Sequence, residues 1–472
     1  MSLVGPPPVS TNPVLRLALD FKRERDAPVP FPPGDTRPSL RRTERFAHDP
    51  LPVLLDAYRR YGPVFTLRIF HGNVVFMLGP DANHFITVSH ADHFTWRDGH
   101  MGDLLPLLGD GLLTIDGEFH RRSRRIMLPA FHRDRIAAAL TTMREEIDGA
   151  LAPWRDGAQL DLYAWTRRLA LRVAMRALFG LDPDGALARA TDAATQFETA
   201  LGFWSRDYFL QIIRGPRTPF ARMQQARAQL DALVYDEIDR RRRTGQRGED
   251  VLSLLLDAQD EDGSRLNDQQ VRDEVMTLLF AGHDTTTSTV SFLFYELARN
   301  PAEEERLAAE LGGLGDREPD AAELMGGTAL PRLEMAMDET LRLWPAAWVG
   351  PRRSTRTFEF AGVQVPAGVP VNYSSWASHR LPDVFPDPEA FRPERFAPEA
   401  KAKLPKGAYV PFGGGSRTCI GMRFGQLEVK AIATSILRRF SLSLAPGYEL
   451  RVRQMPTIGP KGGLPVVVRA RA

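Results

Sequence analysis

The alternation of apolar and polar positions divides the chain into a helical majority and a few short strand segments. Residues 50–60 carry apolar positions at helical spacing. Two β-rich runs follow, Val64–Ile69 and Val74–Leu78, on either side of His71-Gly72-Asn73, which predicts a hairpin. From about residue 80 to 345 the period is helical, most strongly over 132–151, 159–179, 217–243, 267–299 and 331–343. The longest of these must end at Asn300-Pro301, because proline biases its predecessor away from helix. Strand signals return at Phe358–Phe360, Val363–Val365 and Val369–Tyr373, then at 441–443 and 465–468, with a helix over Met422–Phe440 between them. The expected fold class is mainly α with small peripheral β-sheets, built as one unit.

Proline changes the picture only at the start. Pro6, Pro7, Pro8, Pro13, Pro28, Pro30, Pro32, Pro33 and Pro38 read as an extended strap over residues 1–44, ahead of a main domain at 45–472. A hydrophobic content of 43% allows a large core. The net charge of +2 argues against nucleic acid as a general partner. The first residues lack the charged-then-apolar pattern of an export signal, so a cytoplasmic location is expected. Val275–Leu297 is long enough to span a bilayer, which takes about 20 residues. It carries His283, Asp284 and the hydroxyl run Thr285, Thr286, Thr287, Ser288 and Thr289, however, and lacks basic anchors. A central helix in a large core fits better than a transmembrane segment.

Chemistry concentrates in a few places. Cys419 is the one cysteine, in Phe412-Gly413-Gly414-Gly415-Ser416-Arg417-Thr418-Cys419-Ile420-Gly421. A solitary thiol forms no internal disulfide and no multi-cysteine zinc site. It can give one thiolate to an iron already held by a porphyrin, and such a ligand favours O–O cleavage. Glycines permit close backbone approach to a flat cofactor, and the helix that follows stabilises a thiolate at its N-terminus. The alternative is a buried structural cysteine.

Three further clusters stand out. Ala281-Gly282-His283-Asp284-Thr285-Thr286 puts an acid beside an alcohol in mid-helix, where both compete for backbone hydrogen bonds. This arrangement either bends the ladder and admits water or is a polar patch. Glu339 and Arg342 share a helix face, and Phe391-Arg392-Pro393-Glu394-Arg395-Phe396 offers a loop arginine, Arg395, to complete a buried cluster. His120 and Arg124 also share a face, with Arg121, Arg122 and Arg125 on other sides. A solvated basic helix is the alternative there.

Together these motifs resemble the cytochrome P-450 superfamily of haem-thiolate monooxygenases, in its soluble bacterial form. Four match in order and spacing: Ala281–Thr286, Glu339–Arg342, Pro393–Phe396 and Phe412–Gly421. The resemblance covers roughly residue 45 to the end. It implies a single-domain fold with haem b between the long distal helix and the cysteine loop. Cys419 would ligate the iron, with Phe412 and Gly421 bounding the loop against the haem. Its propionates would meet His120, Arg124, Arg417 and Arg352, although Arg353 is adjacent and either arginine could serve. Asp284 and Thr285 would steer protons to the dioxygen under activation, and Glu339, Arg342 and Arg395 would form a structural triad.

The implied reaction inserts one oxygen atom from O2 into a large apolar substrate. Electrons would come from NAD(P)H through a ferredoxin or flavodoxin and its reductase, docking on Arg121, Arg122 and Arg125. Leu105, Leu108, Phe280, Ala281, Trp348 and Ile458 fall in segments that line the substrate pocket in this family. Fatty acids, terpenoids, carotenoids and steroids all suit such a lining. Alternatives are a peroxide-driven or isomerising haem-thiolate enzyme and a non-enzymatic haem sensor.

Overall fold

In a computed structural model, residues 6–182, 184–185, 192–204, 208–246, 248, 250–259, 263 and 265–471 are described. The helix Asp268–Arg299 organises them. A capping box starts it: the Asn267 side chain accepts from the Gln270 N–H, and the Gln270 side chain accepts from the Asn267 N–H. It is buried on nearly every side against the helices Leu162–Val173, Pro331–Leu343, Met422–Leu437 and Pro219–Thr244. A helix surrounded by protein needs no polar face, which accounts for the apolar run over 275–297. Among the described residues no helix is long and apolar enough to cross a membrane.

The strands sit at the edge of this helical body. A six-stranded sheet runs in the order Gly34–Asp35, Val64–Ile69, Gly72–Met77, Pro370–Tyr373, Gly350–Ser354 and Phe94–Thr95. The predicted hairpin forms its second and third strands, with Val64 opposite Met77 and Ile69 opposite Gly72. The expected strands at 358–360 and 363–365 pair with each other. Phe440–Leu444 and Gln159–Asp161 flank Pro465–Ala470 in a three-stranded antiparallel sheet.

Two expectations need correction. The segment 159–179 is not helical throughout. Gln159–Asp161 pairs with Pro465–Val467, and Asp161 then caps Leu162–Val173 by accepting the Tyr163 and Ala164 N–H groups, so the helix begins at Leu162. Nor are residues 6–44 an extended strap; residues 1–5 of that segment lie outside the described residues. Asn12 caps a helix over Pro13–Arg25, with proline at the first helical position, where its missing N–H is no loss. Gly34–Asp35 joins the large sheet parallel to Val64–Ile69, and Leu40–His48 is a second helix. Proline counts misled because most of these prolines sit at helix starts and between elements.

Candidate active site

The cysteine loop is shaped by glycine. Gly413 and Gly415 have φ of 69° and 61°, and a Cβ on Gly415 would come within 2.2 Å of the Thr87 carbonyl oxygen. The Cys419 N–H donates to the Phe412 carbonyl at 3.0 Å and closes the loop just ahead of the helix Met422–Leu437. The Cys419 thiol is walled in by protein but exposed to an internal cavity of about 1770 Å³, which Phe412 and Gly421 also line. Burial pushes the thiol pKa up, against the Gly421 N–H and Arg124, which both favour the thiolate. The volume exceeds the roughly 300–1,000 Å³ of an ordinary ligand pocket.

One rim of the cavity is cationic. His120, Arg124, Arg352 and Arg417 all line it. Arg352 lies 3.9 Å above the Trp96 ring and Arg417 4.7 Å from the same ring. Among the described residues no carboxylate lies within ion-pair distance of Arg352, whereas Arg353 is committed to Asp20 at 2.7 Å, to the Asp98 carbonyl and to the Gly368 carbonyl. Both arginines line the cavity, and Arg352 is the one of the two without an ion-pair partner among the described residues. Arg417 Nη2 donates to Asp116 Oδ1 at 2.6 Å, but its Nη1 is buried without a partner. Burial, with Arg417 and Arg124 close by, pushes His120 down to about 3, so its imidazole is neutral. A buried guanidinium with an unused donor is costly unless something anionic completes it. A flat macrocycle bearing two carboxylates, held from below by a thiolate, fits this donor set.

On the facing wall, Phe280, Ala281 and Thr285 of the long helix line the cavity. The helix stays α-helical through Gly282; the expected bend appears only as the Thr285 hydroxyl donating to the Ala281 carbonyl at 2.7 Å. Asp284 points elsewhere. It is fully buried, accepts from the Thr457 hydroxyl, and lies 3.8 Å from Arg167 and 3.6 Å from Arg453. Burial raises its pKa, but Arg453, Arg167, His283 and Thr457 outweigh that, so it stays ionised. Consecutive residues lie about 100° apart on a helix, so Thr285 faces the cavity while Asp284 turns toward Arg167, Arg453 and Thr457, the last two of which also line the cavity.

Glu339, Arg342 and Arg395 come together as expected. Arg342 Nε and Nη2 bond both Glu339 oxygens, at 2.7 and 2.8 Å, with both side chains wholly buried; Arg395 Nε lies 3.3 Å from Glu339 Oε1. Arg342 also donates to the carbonyls of His379, Pro388 and Ala390. His379, which burial pushes down to about 3, bridges the Arg342 carbonyl and the Val410 N–H, tying this cluster to the segment entering the cysteine loop.

The pocket expectations hold in part. Phe280, Ala281 and Trp348 line the cavity; Leu105, Leu108 and Ile458 do not. The short helix Leu105–Leu108 turns Leu105 and Leu108 away from the cavity into buried positions, and Ile458 packs into a separate hydrophobic cluster with Trp348 and Phe292. Leu104, Leu112 and Thr457, their neighbours, face the cavity instead. Glu428, Asp116 and Glu274 were not expected. Glu428 lines the cavity, accepts from Thr286 at 3.0 Å and is pushed up to about 8 by burial. Asp116 accepts from the Trp96 and Arg97 N–H groups as well as from Arg417. A lone acid carries no sequence signal for such contacts across distant segments.

Glu274 fastens the cavity wall, accepting the Leu112 N–H at 3.0 Å, and burial pushes it up to about 7. Because the unfolded chain releases this proton near pH 4.5 and the folded chain near 7, stability falls as pH rises through that window. The loss attributable to this group is about 3 kcal/mol as an upper bound. Glu274→Gln keeps the acceptor and removes the slope. Thermal midpoints compared between pH 4.5 and 7.5 should therefore converge toward the variant's favour as pH rises, and parallel curves would refute the assignment.

The comparisons with known proteins agree with this geometry. The cytochrome P450 family model matches residues 40–462. The chain belongs to the cytochrome P450 family. It is 37% identical to cyclooctatin synthase of Streptomyces melanosporofaciens over 76% of this chain and 79% of that protein. It is 37% identical to cyclooctat-9-en-7-ol 5-monooxygenase of the same organism, over 73% and 75% of the two chains. The solved structure of retinoic acid-bound cyanobacterial CYP120A1 superposes with a TM-score of 0.83 at 32% identity, covering 94% of this chain and 100% of that one. As a cytochrome P450 the protein is an oxidoreductase of the monooxygenase type, and its family uses haem and O2.

Proposed function

We propose that this cytochrome P450 hydroxylates a large apolar substrate of the terpenoid class, with haem b held by Cys419 and by the rim of His120, Arg124, Arg352 and Arg417. The observation that carries the reading is the cavity itself, bounded by the Cys419 thiol on one wall and by Phe280, Ala281 and Thr285 on the other. Two curated relatives act in cyclooctatin chemistry by name, and a structural relative holds retinoic acid. Fatty acids, carotenoids and steroids are the competitors.

The haem, when bound, supplies the oxygen-activating chemistry; the chain supplies position, charge and protons. Cys419 would give the haem iron its thiolate, which burial opposes and the Gly421 N–H and Arg124 favour. Arg417 Nη1 and Arg352 would offer their donors to the two carboxylates of the haem. The Thr285 hydroxyl is placed to hold a proton donor in the pocket, and Asp284, with Arg167 and Arg453, stands behind it as the charged end of a route from outside. Leu104, Leu112 and Phe280 keep the site dry. Electrons come from NAD(P)H through a separate ferredoxin or flavodoxin and reductase. Arg121 and Arg125 are exposed on the helix Gly117–Met127, with Arg122 half-buried between them, and this face is the docking surface of the proposal.

An optical titration of the ferric protein tests the substrate class. A low- to high-spin shift with a terpenoid and none with a fatty acid, carotenoid or steroid is expected, and the reverse pattern overturns the class. Thr285→Ala is expected to lower product formation by about a hundredfold or more while oxygen consumption continues, since positioned proton transfer is worth about 10²–10⁴. Unchanged coupling of oxygen consumed to product formed would count against the role.

A further inference from the structure

The helix Pro13–Arg25 is oriented inside out. Positions 16, 17, 20, 23 and 24 face the body of the protein, and four of the five are charged. Arg16 pairs with Asp103 at 2.5 Å, Asp20 with Arg353 at 2.7 Å, Arg23 with Asp98 at 2.9 Å and Glu24 with Arg68 at 2.5 Å. The opposite face carries Val14, Leu15, Ala18, Leu19 and Phe21. The four larger side chains are 66%, 54%, 41% and 44% exposed, and no residue of the helix is buried. A helix docked on a globular body ordinarily turns its apolar stripe inward. Here the surface beneath is polar, and the four ion pairs fix the helix with its apolar side outward. Single exposed apolar residues are ordinary, but a contiguous set marks an interaction site.

The patch continues onto neighbouring elements. The Phe21 ring meets His71 edge-on at 6.1 Å. Next to His71, Phe70 stands at the hairpin tip, 42% exposed, and its N–H donates to the Thr43 hydroxyl. Leu40, one turn before Thr43 on the same helix, is 86% exposed. Leu40, Phe70 and the inward residues Asp20, Arg23 and Glu24 all line the cavity that reaches Cys419. The apolar face therefore borders the mouth of that cavity. Around it Lys22, Arg25, Arg37 and Arg41 are exposed; Arg25 pairs with Asp26.

We infer that this face docks the protein on a lipid membrane surface carrying anionic headgroups, with the mouth of the cavity against the bilayer. Apolar side chains on two helices and a hairpin tip, fringed by lysine and arginine, match what binds at the headgroup layer. There the apolar groups enter the acyl boundary and the bases meet anionic lipid. Exposed basic residues make a membrane the better occupant than an acid-poor apolar groove of another protein, which they would leave unpaired. The docking stands on these surface residues and not on the proposed function. Only its use, taking an apolar substrate directly from the bilayer, rests on the proposed function.

The test is co-sedimentation of the full haem-loaded chain with vesicles of phosphatidylcholine mixed with phosphatidylglycerol and with vesicles of phosphatidylcholine alone. Binding to the mixed vesicles, weaker to the neutral ones and weakened by salt, is expected. The triple variant Leu15→Glu, Leu19→Glu, Phe21→Glu should lower partitioning at least about tenfold, with an unchanged thermal midpoint because all three side chains are exposed. No wild-type binding to either vesicle, or equal binding by the triple variant, overturns the inference. So does self-association in the ultracentrifuge that the triple variant abolishes while vesicles bind neither form, which assigns the face to a second copy of the chain. The optical titration with substrates needs no vesicles, so failure of the proposed substrate class and failure of membrane docking are read separately.

Discussion

Arg342→Ala is expected to yield no stably folded protein. Arg342 is wholly buried and directs its donors at both oxygens of Glu339 and at the carbonyls of His379, Pro388 and Ala390. Removing one partner of a buried ion pair costs about 3–5 kcal/mol, because the other charge is left without compensation. Each orphaned buried acceptor adds about 1–3 kcal/mol. Against a total stability of roughly 5–15 kcal/mol, that sum approaches or exceeds what the fold has. Arg342→Lys should fail nearly as badly, since an ammonium cannot reproduce the planar fork that serves Glu339 and three carbonyls together. Soluble yield and the denaturant midpoint measure this. A shift below about 1 kcal/mol, the size of an exposed pair, would show that the cluster is a surface feature after all.

The same cluster shows what the sequence could reveal. Glu339 and Arg342 are i, i+3 neighbours, so helical spacing alone predicts their contact. Arg395 was found because a proline-flanked arginine between aromatics is unusual in a loop. His379 left no trace: its importance lies in bonds to Arg342 and Val410, which only the folded chain brings together. Element boundaries followed the same logic. The end of Asp268–Arg299 was readable from the proline that follows it, whereas its start is set by the Asn267–Gln270 capping box, seen in the fold. The Gln159–Asp161 strand was hidden because its partner, Pro465–Val467, lies at the far end of the chain.

Periodicity also fails in a specific way at the N-terminus. In Pro13–Arg25 the charged residues recur at the spacing normally taken for a buried stripe, and the apolar residues occupy the outer face. Proline density favours extended chain on its face and masks the helical period beneath it. The pocket residues missed for a related reason. Leu105 and Leu108 belong to the right segment, but which turn of a short helix faces the cavity depends on the helix's rotation, and Leu104 takes that place. Asp284 and Thr285 are adjacent in sequence, but on the helix Thr285 faces the cavity and Asp284 turns to Arg167 and Arg453.

Cys419→Ser is expected to leave the fold standing and abolish oxygenation. The thiol faces the cavity rather than packed side chains, and the loop that carries it is held by other means. Those means are the Cys419 N–H to the Phe412 carbonyl, the positive φ values of Gly413 and Gly415, and the close seat of Gly415 against Thr87. Serine keeps all of these, so the denaturant midpoint of the haem-free chain should move by less than about 1 kcal/mol, the range of a conservative change away from a packed core. The chemistry has no such reserve. A hydroxyl is not ionised where burial already opposes the thiolate, and no second cysteine exists to replace it. Changes that merely touch a metal ligand's partners commonly lower activity about 10–100-fold, so loss of the ligand itself should exceed a hundredfold and remove the thiolate-type ferrous–CO band. The opposite pattern, a lowered midpoint with activity and band retained, would make Cys419 a structural residue and break the assignment of the cavity. Because the two readings move stability and spectrum in opposite directions, a single variant decides between them.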